Sequence, residues 1–269
     1  MRILNNDKFA PIAFFDSGVG GLTVLNHIKK ILPYENYIYY GDTIHMPYGE
    51  KSKEELLNFS EPIFRFFERK NCKAVVMACN TTSSMIYEDV KDKYNFTIYP
   101  IVQSVAKIIA QMNINSLGVL ATRGTIESNA YPNQINKYNK NMKVSGHFCP
   151  QWVHIVENNL IDLPESIEIV KSDLDEILKF NPDKIVLGCT HYPYLLNLLS
   201  NLKSRDTFID PAQYFASFIS EDLEAKNLLN DYLSAGTCEY YVSSNPKAFK
   251  SVGNLFCNID KKPILLKFD

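Results

Sequence analysis

Residues 74–81 of the chain read AVVMACNT, a short apolar run followed by a small residue, Cys79 and small polar residues. Residues 185–191 read IVLGCTH and repeat this order around Cys189. A short, continuously apolar run predicts a strand buried on both faces of a parallel sheet. Because open α/β sheets bind ligands at the carboxyl ends of their strands, we expect both thiols at such a site. Two thiols presented alike suit a reaction that needs an acid or base on each side of a substrate.

The rest of the chain alternates strand-like and helix-like segments around these two runs. A strand over residues 12–16 and a helix over residues 22–32 begin a β-α-β-α-β-α order, which then starts again. This alternation predicts an α/β fold with mainly parallel sheets. No linker rich in proline, glycine or serine separates the halves, so we expect two similar lobes that pack closely. The first comprises residues 1–98 and about 211–269, the second residues 99–210, and the cleft between them is the expected ligand site.

Composition and charge exclude several classes of function. The chain has 269 residues, 46% of them hydrophobic and 22% charged, with a formal net charge of −2. This charge gives no electrostatic attraction to nucleic acid or to an anionic membrane. No run reaches the ~18 apolar residues of a membrane span, and the N-terminal stretch lacks the cleavage site of a signal peptide. We therefore expect a cytoplasmic protein without nucleic-acid or membrane partners.

Six cysteines occur, and we expect reduced thiols because the chain shows no sign of secretion and needs no disulfide to hold its core. There is no C-x-x-C pair and no histidine at zinc-ligand spacing from Cys72 or Cys79, so no metal site is expected. A single cysteine at a strand end is most often a packing residue. Cys79 and Cys189 differ from Cys72, Cys238 and Cys257 because polar, hydrogen-bonding residues follow them. A helix N-terminus beside such a thiol stabilises the thiolate and is expected to lower the pKa of the thiol.

Other candidate residues accompany the two thiols. The stretch FFDSGVGGL at 14–22 lacks the spacing of a dinucleotide or Walker loop. It is either a tight turn between strand and helix or an anion site, in which backbone N–H groups meet a carboxylate at a helix N-terminus. Asp16 would then be a strand-end acid that relays a proton or orients an ammonium group. His191 lies two residues after Cys189, hence on the same side of an extended segment, where it can polarise the thiol or a substrate carboxylate.

Five segments together resemble the glutamate racemases of the aspartate/glutamate racemase family. They are FDSGVGGLTVL at 15–25, YGDTIHMPYGEKS at 40–52, ACNTTSS at 78–84, ATRGTIESNAY at 121–131 and GCTHYP at 188–193. The resemblance implies two pseudo-symmetric three-layer α/β lobes with the active site between them. It further implies a homodimer and a cofactor-independent interconversion of L- and D-glutamate, which supplies D-glutamate for peptidoglycan.

The resemblance also implies roles for individual residues. Cys79 and Cys189 would be the two acid/bases, Cys79 acting on D-glutamate and Cys189 on L-glutamate. Asp16 would assist Cys79, and His191 would assist Cys189. The positions that match the family's substrate-binding residues are Asp16, Ser17, Tyr48, Gly49, Asn80, Thr81, Thr190 and His191, and Thr125 lies in a segment similar to another substrate contact.

The segment CPQWVHIVE at 149–157 departs from the family pattern, which often reads CPLFVP and ends in a glutamate. Gln151, Trp152 and His154 differ from that pattern, whereas Glu157 keeps the acidic position. The resemblance therefore implies a catalytic acid near His191. The alternative for Glu157 is a surface acid on a helix.

Three other functions stay open at the level of the residues. An aspartate racemase would carry similar thiol motifs and differ in the size of its side-chain pocket. A hydrolase or amidotransferase would use one activated cysteine with a histidine and would leave the second cysteine without a role. A pair of lobes that only binds a ligand would keep the cleft but use neither thiol.

Overall fold

The computed structural model describes residues 4–232 and 234–268, which form two β-sheets covered by helices. The strands are β1 (Ile12–Asp16), β2 (Tyr37–Gly41), β3 (Ala74–Met77), β4 (Thr97–Pro100), β5 (Ser116–Ala121), β6 (Lys143–Phe148), β7 (Lys184–Gly188), β8 (Phe208–Ile209), β9 (Cys238–Val242) and β10 (Ile264–Leu265). The helices are α1 (Leu22–Ile31), α2 (Lys53–Arg69), α3 (Asn80–Val90), α4 (Ile101–Ile109), α5 (Arg123–Glu127), α6 (Ala130–Tyr138), α7 (Trp152–Glu157), α8 (Pro164–Leu178), α9 (Leu196–Leu202), α10 (Pro211–Ala225) and α11 (Pro246–Gly253). Short 3₁₀ segments lie at Tyr48–Glu50, Tyr192–Leu195 and Arg205–Thr207.

The pairings among the described strands are parallel in both sheets. The first sheet has the order β10-β9-β2-β1-β3-β4, and the second has the order β6-β5-β7-β8. The α/β fold with mainly parallel sheets, predicted from the alternating pattern, is confirmed. The exact lobe boundaries at residues 98 and 210 stay a prediction, and the first of them falls inside β4.

The two sheets share a hydrophobic core. α1 and α4 pack against α10, and α10 also contacts β7 of the second sheet. Buried residues of both sheets, among them Phe14, Val119 and Leu187, belong to one continuous apolar cluster. A second cluster, which includes Phe15 and Phe64, lies between the other face of the first sheet and α2. The close packing of the two halves fixes the position of the cleft between them.

Sharp turns of the chain set two helix boundaries near the cavity. α3 begins at Asn80, directly after Cys79. α5 and α6 are separated at Asn129, whose left-handed backbone (φ 53°) cannot continue a right-handed helix. The sequence pattern missed the short helix α7. No helix within residues 4–232 or 234–268 is long and apolar enough to cross a membrane.

Candidate active site

The carboxyl ends of β3 and β7 meet at one cavity between the two sheets. Cys79 directly precedes α3 after the end of β3, and Cys189 directly follows β7. Both are free and buried, with 5% and 6% of the residue surface exposed. Both line the same cavity, which holds about 610 Å³ of empty space, part of it open to solvent. The fold therefore brings together the two thiols that the sequence singled out.

The other walls of the cavity combine small polar groups with a few apolar side chains. They consist of Ser17, Met46, Pro47, Tyr48, Gly49, Glu50, Asn80, Thr81, Thr122, Arg123, Cys149, Pro150, Val153, Thr190 and His191. Asp16, Thr125 and Glu157 lie behind this wall and hydrogen bond to residues that line it. Sequence reasoning missed Thr122 and Arg123, and the signal for them was a polar pair directly after a buried strand.

Cys79 has surroundings that disfavour its thiolate. Burial, followed by the negative charge of Asp16, raises the pKa of the Cys79 thiol to about 12. Hydrogen bonding to Thr82 opposes this rise without overcoming it. The lowered thiol pKa expected beside a helix N-terminus is therefore wrong for Cys79, because loss of solvent outweighs the helix end. Cys79 is a neutral thiol at neutral pH in this structure.

Cys189 begins a buried chain of hydrogen bonds. Its Sγ lies 3.7 Å from Nδ1 of His191, and Nε2 of His191 lies 2.6 Å from Oε1 of Glu157. Burial by itself lowers the pKa of His191, but hydrogen bonds to Cys189 and Glu157 and the negative charge of Glu157 raise it well above its usual value. The side chain of His191 is 2% exposed, so these partners replace water in stabilising its positive charge. The altered segment 149–157 thus still places an acid in contact with His191.

Asp16 connects the end of β1 to the Cys189 side of the cavity. Its Oδ1 accepts a hydrogen bond from the Gly18 N–H (3.0 Å), and its Oδ2 accepts one from Oγ1 of Thr190 (3.2 Å). Complete burial raises the pKa of Asp16, and the charge of His191 and the hydrogen bonds oppose that rise. A Cβ atom at Gly20 would lie 2.3 Å from Oγ1 of Thr190 and 2.6 Å from Nδ1 of His191. The glycine turn therefore lets the first lobe approach these two side chains closely.

Asn80 presents an unpaired donor at the cavity. Its Oδ1 accepts a hydrogen bond from Tyr131 (3.1 Å), whereas its buried Nδ2 has no partner within the described part of the chain. A buried N–H without a partner is unfavourable by about 1–3 kcal/mol. A ligand oxygen in the cavity can complete this hydrogen bond. Ser17, Thr81 and Thr190 supply further hydroxyl groups on the same walls.

Tyr48 and Gly49 form another wall through a 3₁₀ turn. The hydroxyl of Tyr48 donates to Oδ2 of buried Asp42 (2.5 Å), and Nδ1 of His45 lies 2.7 Å from the same oxygen. A Cβ atom at Gly49 would lie 2.7 Å from Cβ of Thr122, so glycine permits contact between the lobes at this edge. The turn is thereby fixed in position on both sides.

Proteins similar to this chain in sequence are glutamate racemases. A family model described as Asp/Glu/Hydantoin racemase matches residues 22–219. The glutamate racemase of Carboxydothermus hydrogenoformans is 37% identical over 252 residues, which cover 93% of this chain and 94% of that protein. The resemblance that the five motifs indicated is confirmed.

Solved structures of similar fold include enzymes of the same name. Glutamate racemase from Francisella tularensis, in complex with D-glutamate, has a TM-score of 0.89 and 31% identity, and the match covers 98% of both chains. An isoform from Bacillus anthracis has a TM-score of 0.90 and 30% identity, covering 97% of this chain and 98% of that one. Motifs, fold and both comparisons agree, and the chain belongs to the Asp/Glu/hydantoin racemase family, among the glutamate racemases.

Proposed function

We propose that this protein interconverts L- and D-glutamate and that Cys79 and Cys189 are its two acid/bases. The observation that carries the mechanism is the pair of buried thiols on one cavity, each beside its own ionisable partner. Glutamate as the substrate is supported by the similarity to glutamate racemases over almost the whole chain. The product, D-glutamate, is a building block for peptidoglycan.

The two thiols act on opposite faces of the substrate α-carbon. With L-glutamate bound, the Cys189 thiolate removes the α-proton, and the Cys79 thiol donates its proton to the other face. One C–H bond breaks and one forms, so Cys189 ends as a thiol and Cys79 as a thiolate. D-glutamate then reacts by the same steps in reverse.

The charges around the thiols support this division. Cys79 starts as a thiol, because burial and Asp16 raise its pKa to about 12. The imidazolium of His191, paired with Glu157, lies 3.7 Å from Sγ of Cys189, which places a positive charge beside the thiol assigned to L-glutamate. The ammonium group of bound D-glutamate favours loss of the proton from Cys79, because an adjacent positive charge stabilises a thiolate.

Polar groups on the walls stabilise the charge that develops on the substrate. The α-proton of an amino acid is far less acidic than a thiol, so the carbanion needs hydrogen-bond donors already in place. The unpaired Nδ2 of Asn80 and the hydroxyls of Ser17, Thr81 and Thr190 are such donors. We assign them to the carboxylates of glutamate, with Tyr48 and Gly49 bounding the substrate and Thr125 holding Thr122 in place.

Incubation with L-glutamate in deuterated water tests the two-thiol mechanism. We expect loss of optical activity and deuterium at Cα without an added cofactor. Cys79→Ser and Cys189→Ser should each lower the rate by about 10²–10⁴-fold, the usual contribution of a general acid or base. Cys257→Ser is the matched control, since Cys257 is a buried free thiol that does not line the cavity.

Two results would overturn parts of the proposal. Racemisation at the parent rate in either Cys79→Ser or Cys189→Ser rules out the two-base mechanism. If the protein leaves L-glutamate unchanged but racemises aspartate, the substrate is aspartate and the two-base mechanism still holds.

A hydrolase is the second candidate, because the contacts of Cys189, His191 and Glu157 resemble a cysteine–histidine–acid triad. Such an enzyme would release ammonia from L-glutamine and would need Cys189 but not Cys79. Ammonia release that survives Cys79→Ser and is lost in Cys189→Ser would favour this candidate over the racemase.

We also infer a cytoplasmic location and a homodimer, both of which the family resemblance implies. Light scattering on the purified chain measures the assembly directly. A mass of one chain at micromolar concentration contradicts the dimer.

A further inference from the structure

A second group of chemically versatile side chains lies at the carboxyl end of β6. Nε2 of His147 lies 2.9 Å from Oδ1 of Asp173, and Sγ of Cys149 completes the group. One nitrogen, one sulfur and one carboxylate oxygen all lie within 4.8 Å of one another. None of the three residues has a role in the proposed racemisation.

The fold places these donors on one side of a short stretch of chain. His147 and Cys149 are two residues apart at the end of β6, so their side chains share a side of the extended backbone. Asp173 lies on α8, which packs against β6. Two strand-end donors and one helix donor are therefore held by elements that are rigid in themselves.

Trp152 fixes the orientation of the Asp173 carboxylate. Its Nε1 donates to Oδ2 of Asp173 at 2.8 Å, while Oδ1 faces His147. Trp152 is fully buried and packs against Tyr192, so packing holds this donor in its orientation. A carboxylate that binds a metal through one oxygen and accepts a hydrogen bond on the other is the usual outer-shell arrangement of metal sites.

The combination of donors matches a particular class of ion. Thiolate, imidazole and carboxylate together are ligands for zinc and for similar divalent transition metals. Around a tetrahedral ion with bonds of about 2.0–2.3 Å, ligand atoms stand about 3.3–3.7 Å apart. The 4.8 Å span of the three donors requires only a small contraction, and the His147–Asp173 contact has to open slightly.

Part of the group is open to solvent. Cys149 lines the racemase cavity but is only 1% exposed, whereas the side chains of His147 and Asp173 are 27% and 17% exposed. An ion can enter without unfolding the chain, and water can fill the fourth coordination position. Access of this kind is typical of an exchangeable site rather than a closed structural one.

We propose that His147, Cys149 and Asp173 bind a divalent transition-metal ion of the zinc class, with Trp152 as the residue that positions Asp173. Binding releases the thiol proton of Cys149 to solvent and forms the metal–sulfur bond. In the free chain Nε2 of His147 carries the proton that it donates to Asp173, so on binding that proton passes through solvent to Nδ1 and leaves Nε2 free for the ion. The site shares a wall with the catalytic cavity and is independent of Cys79 and Cys189.

Titration with Zn²⁺ and Co²⁺ tests this site in a chain that carries Cys79→Ser and Cys189→Ser, so that the catalytic thiols cannot contribute. We expect one equivalent of metal to bind by calorimetry, and Co²⁺ to give the absorption of a tetrahedral cobalt–thiolate centre. Cys149→Ser should remove that absorption. Trp152→Phe should weaken binding by about 10–100-fold, the usual effect of removing an outer-shell partner.

Controls separate metal binding from loss of fold. Asp173→Asn retains an oxygen that can accept from Trp152 but lacks the carboxylate charge, so it should weaken the metal while thermal unfolding stays close to that of the parent. His154→Gln replaces an exposed histidine on the same segment and should leave the affinity unchanged. The site is ruled out if the chain with Cys79→Ser and Cys189→Ser shows no cobalt–thiolate absorption. It is also ruled out if that absorption persists when Cys149→Ser is added. Equal weak binding by all variants also overturns it.

Discussion

His191 links the thiol of Cys189 to the carboxylate of Glu157. Its ring lies between the Sγ of Cys189 and the carboxylate of Glu157, and all three groups are largely removed from water. In such surroundings a charge persists only when it is paired and hydrogen bonded. Glu157 therefore sets the pH up to which the imidazole of His191 stays protonated.

Glu157→Gln tests that role of the acid. Glu157 raises the pKa of His191, so its replacement by a neutral acceptor should lower that pKa. The imidazolium is then lost at lower pH, and the alkaline limb of the kcat/KM profile for L-glutamate should move to lower pH. We expect about a tenfold or larger decrease in kcat/KM at neutral pH, the usual effect of losing a hydrogen bond to a charged group.

Glu165→Gln is the matched control for this change, because Glu165 is an exposed acid at the start of α8. If Glu157 were only a surface acid, both variants would keep the parent pH profile. A profile that is unchanged in Glu157→Gln contradicts the assignment.

Asn80 provides a second prediction at the same scale. Asn80→Asp keeps the acceptor for Tyr131 but replaces the unpaired Nδ2 donor by an oxygen that repels a carboxylate. We expect kcat/KM to fall by about 10–100-fold for both enantiomers, mainly through a higher KM, because hydrogen bonds to charged groups contribute about 1.5–3 kcal/mol. Steady-state kinetics by circular dichroism measures both constants. Tyr131→Phe, which leaves Nδ2 intact, should have a smaller effect, and an unchanged KM in Asn80→Asp rules out the contact.

Among the structural elements, the turn between β1 and α1 determines how closely the two lobes approach each other. At Gly20 even a methyl group would overlap Thr190 and His191. The glycines of this turn allow close packing between the lobes. They are not needed for a left-handed backbone, since no glycine among the described residues has a positive φ. The stretch 14–22 forms a tight turn that packs against His191, and the anion site in the same stretch stays a prediction.

Gly20→Ala should displace the Thr190–His191 segment. We expect a loss of about 1–3 kcal/mol in the free energy of unfolding, as for other overpacked sites, and a decrease in kcat/KM. Gly146→Ala is the control, because its added Cβ meets only the flexible end of Ile126, 2.9 Å away. Urea unfolding and racemase assays compare the two variants, and equal behaviour contradicts the packing argument.

The whole molecule is held by an apolar cluster that includes residues of both sheets. α10 contacts α1 and α4 as well as β7, so this cluster is shared by both lobes, while the second cluster beneath α2 belongs to the first lobe. The cavity is formed where these joined lobes expose the ends of their strands. Any separation of the lobes would therefore disrupt both the shared core and the cavity that Cys79 and Cys189 line.

A cooperative unfolding transition follows from this shared core. The single tryptophan of the chain, Trp152, lies on α7 and reports on the second lobe, whereas far-ultraviolet circular dichroism reports on both. Urea curves from the two signals should coincide, as they do for a two-state transition. Two separated transitions would show that the lobes unfold independently.

The sequence by itself determined the fold class and singled out the two thiols that the cavity brings together, because both depend on local patterns. The apolar runs that end at Cys79 and Cys189 specify buried parallel strands, and parallel strands carry ligands at their carboxyl ends. The motifs around them were sufficient to identify the family. Thr122 and Arg123 follow the buried strand β5, so the same rule for the carboxyl ends of parallel strands also places them at the cavity.

Only the tertiary structure decided the contacts between distant residues and the direction of the pKa shifts. Burial raises the pKa of Cys79, against the local expectation from the helix N-terminus, because desolvation depends on everything that surrounds the thiol. Glu157 on α7 contacts His191, and Asp173 on α8 contacts His147. These contacts depend on how α7 and α8 pack, which the spacing of residues along the chain does not predict. Local sequence fixes where a strand ends, whereas charge and ligation depend on which distant side chains the fold brings within about 3 Å of one another.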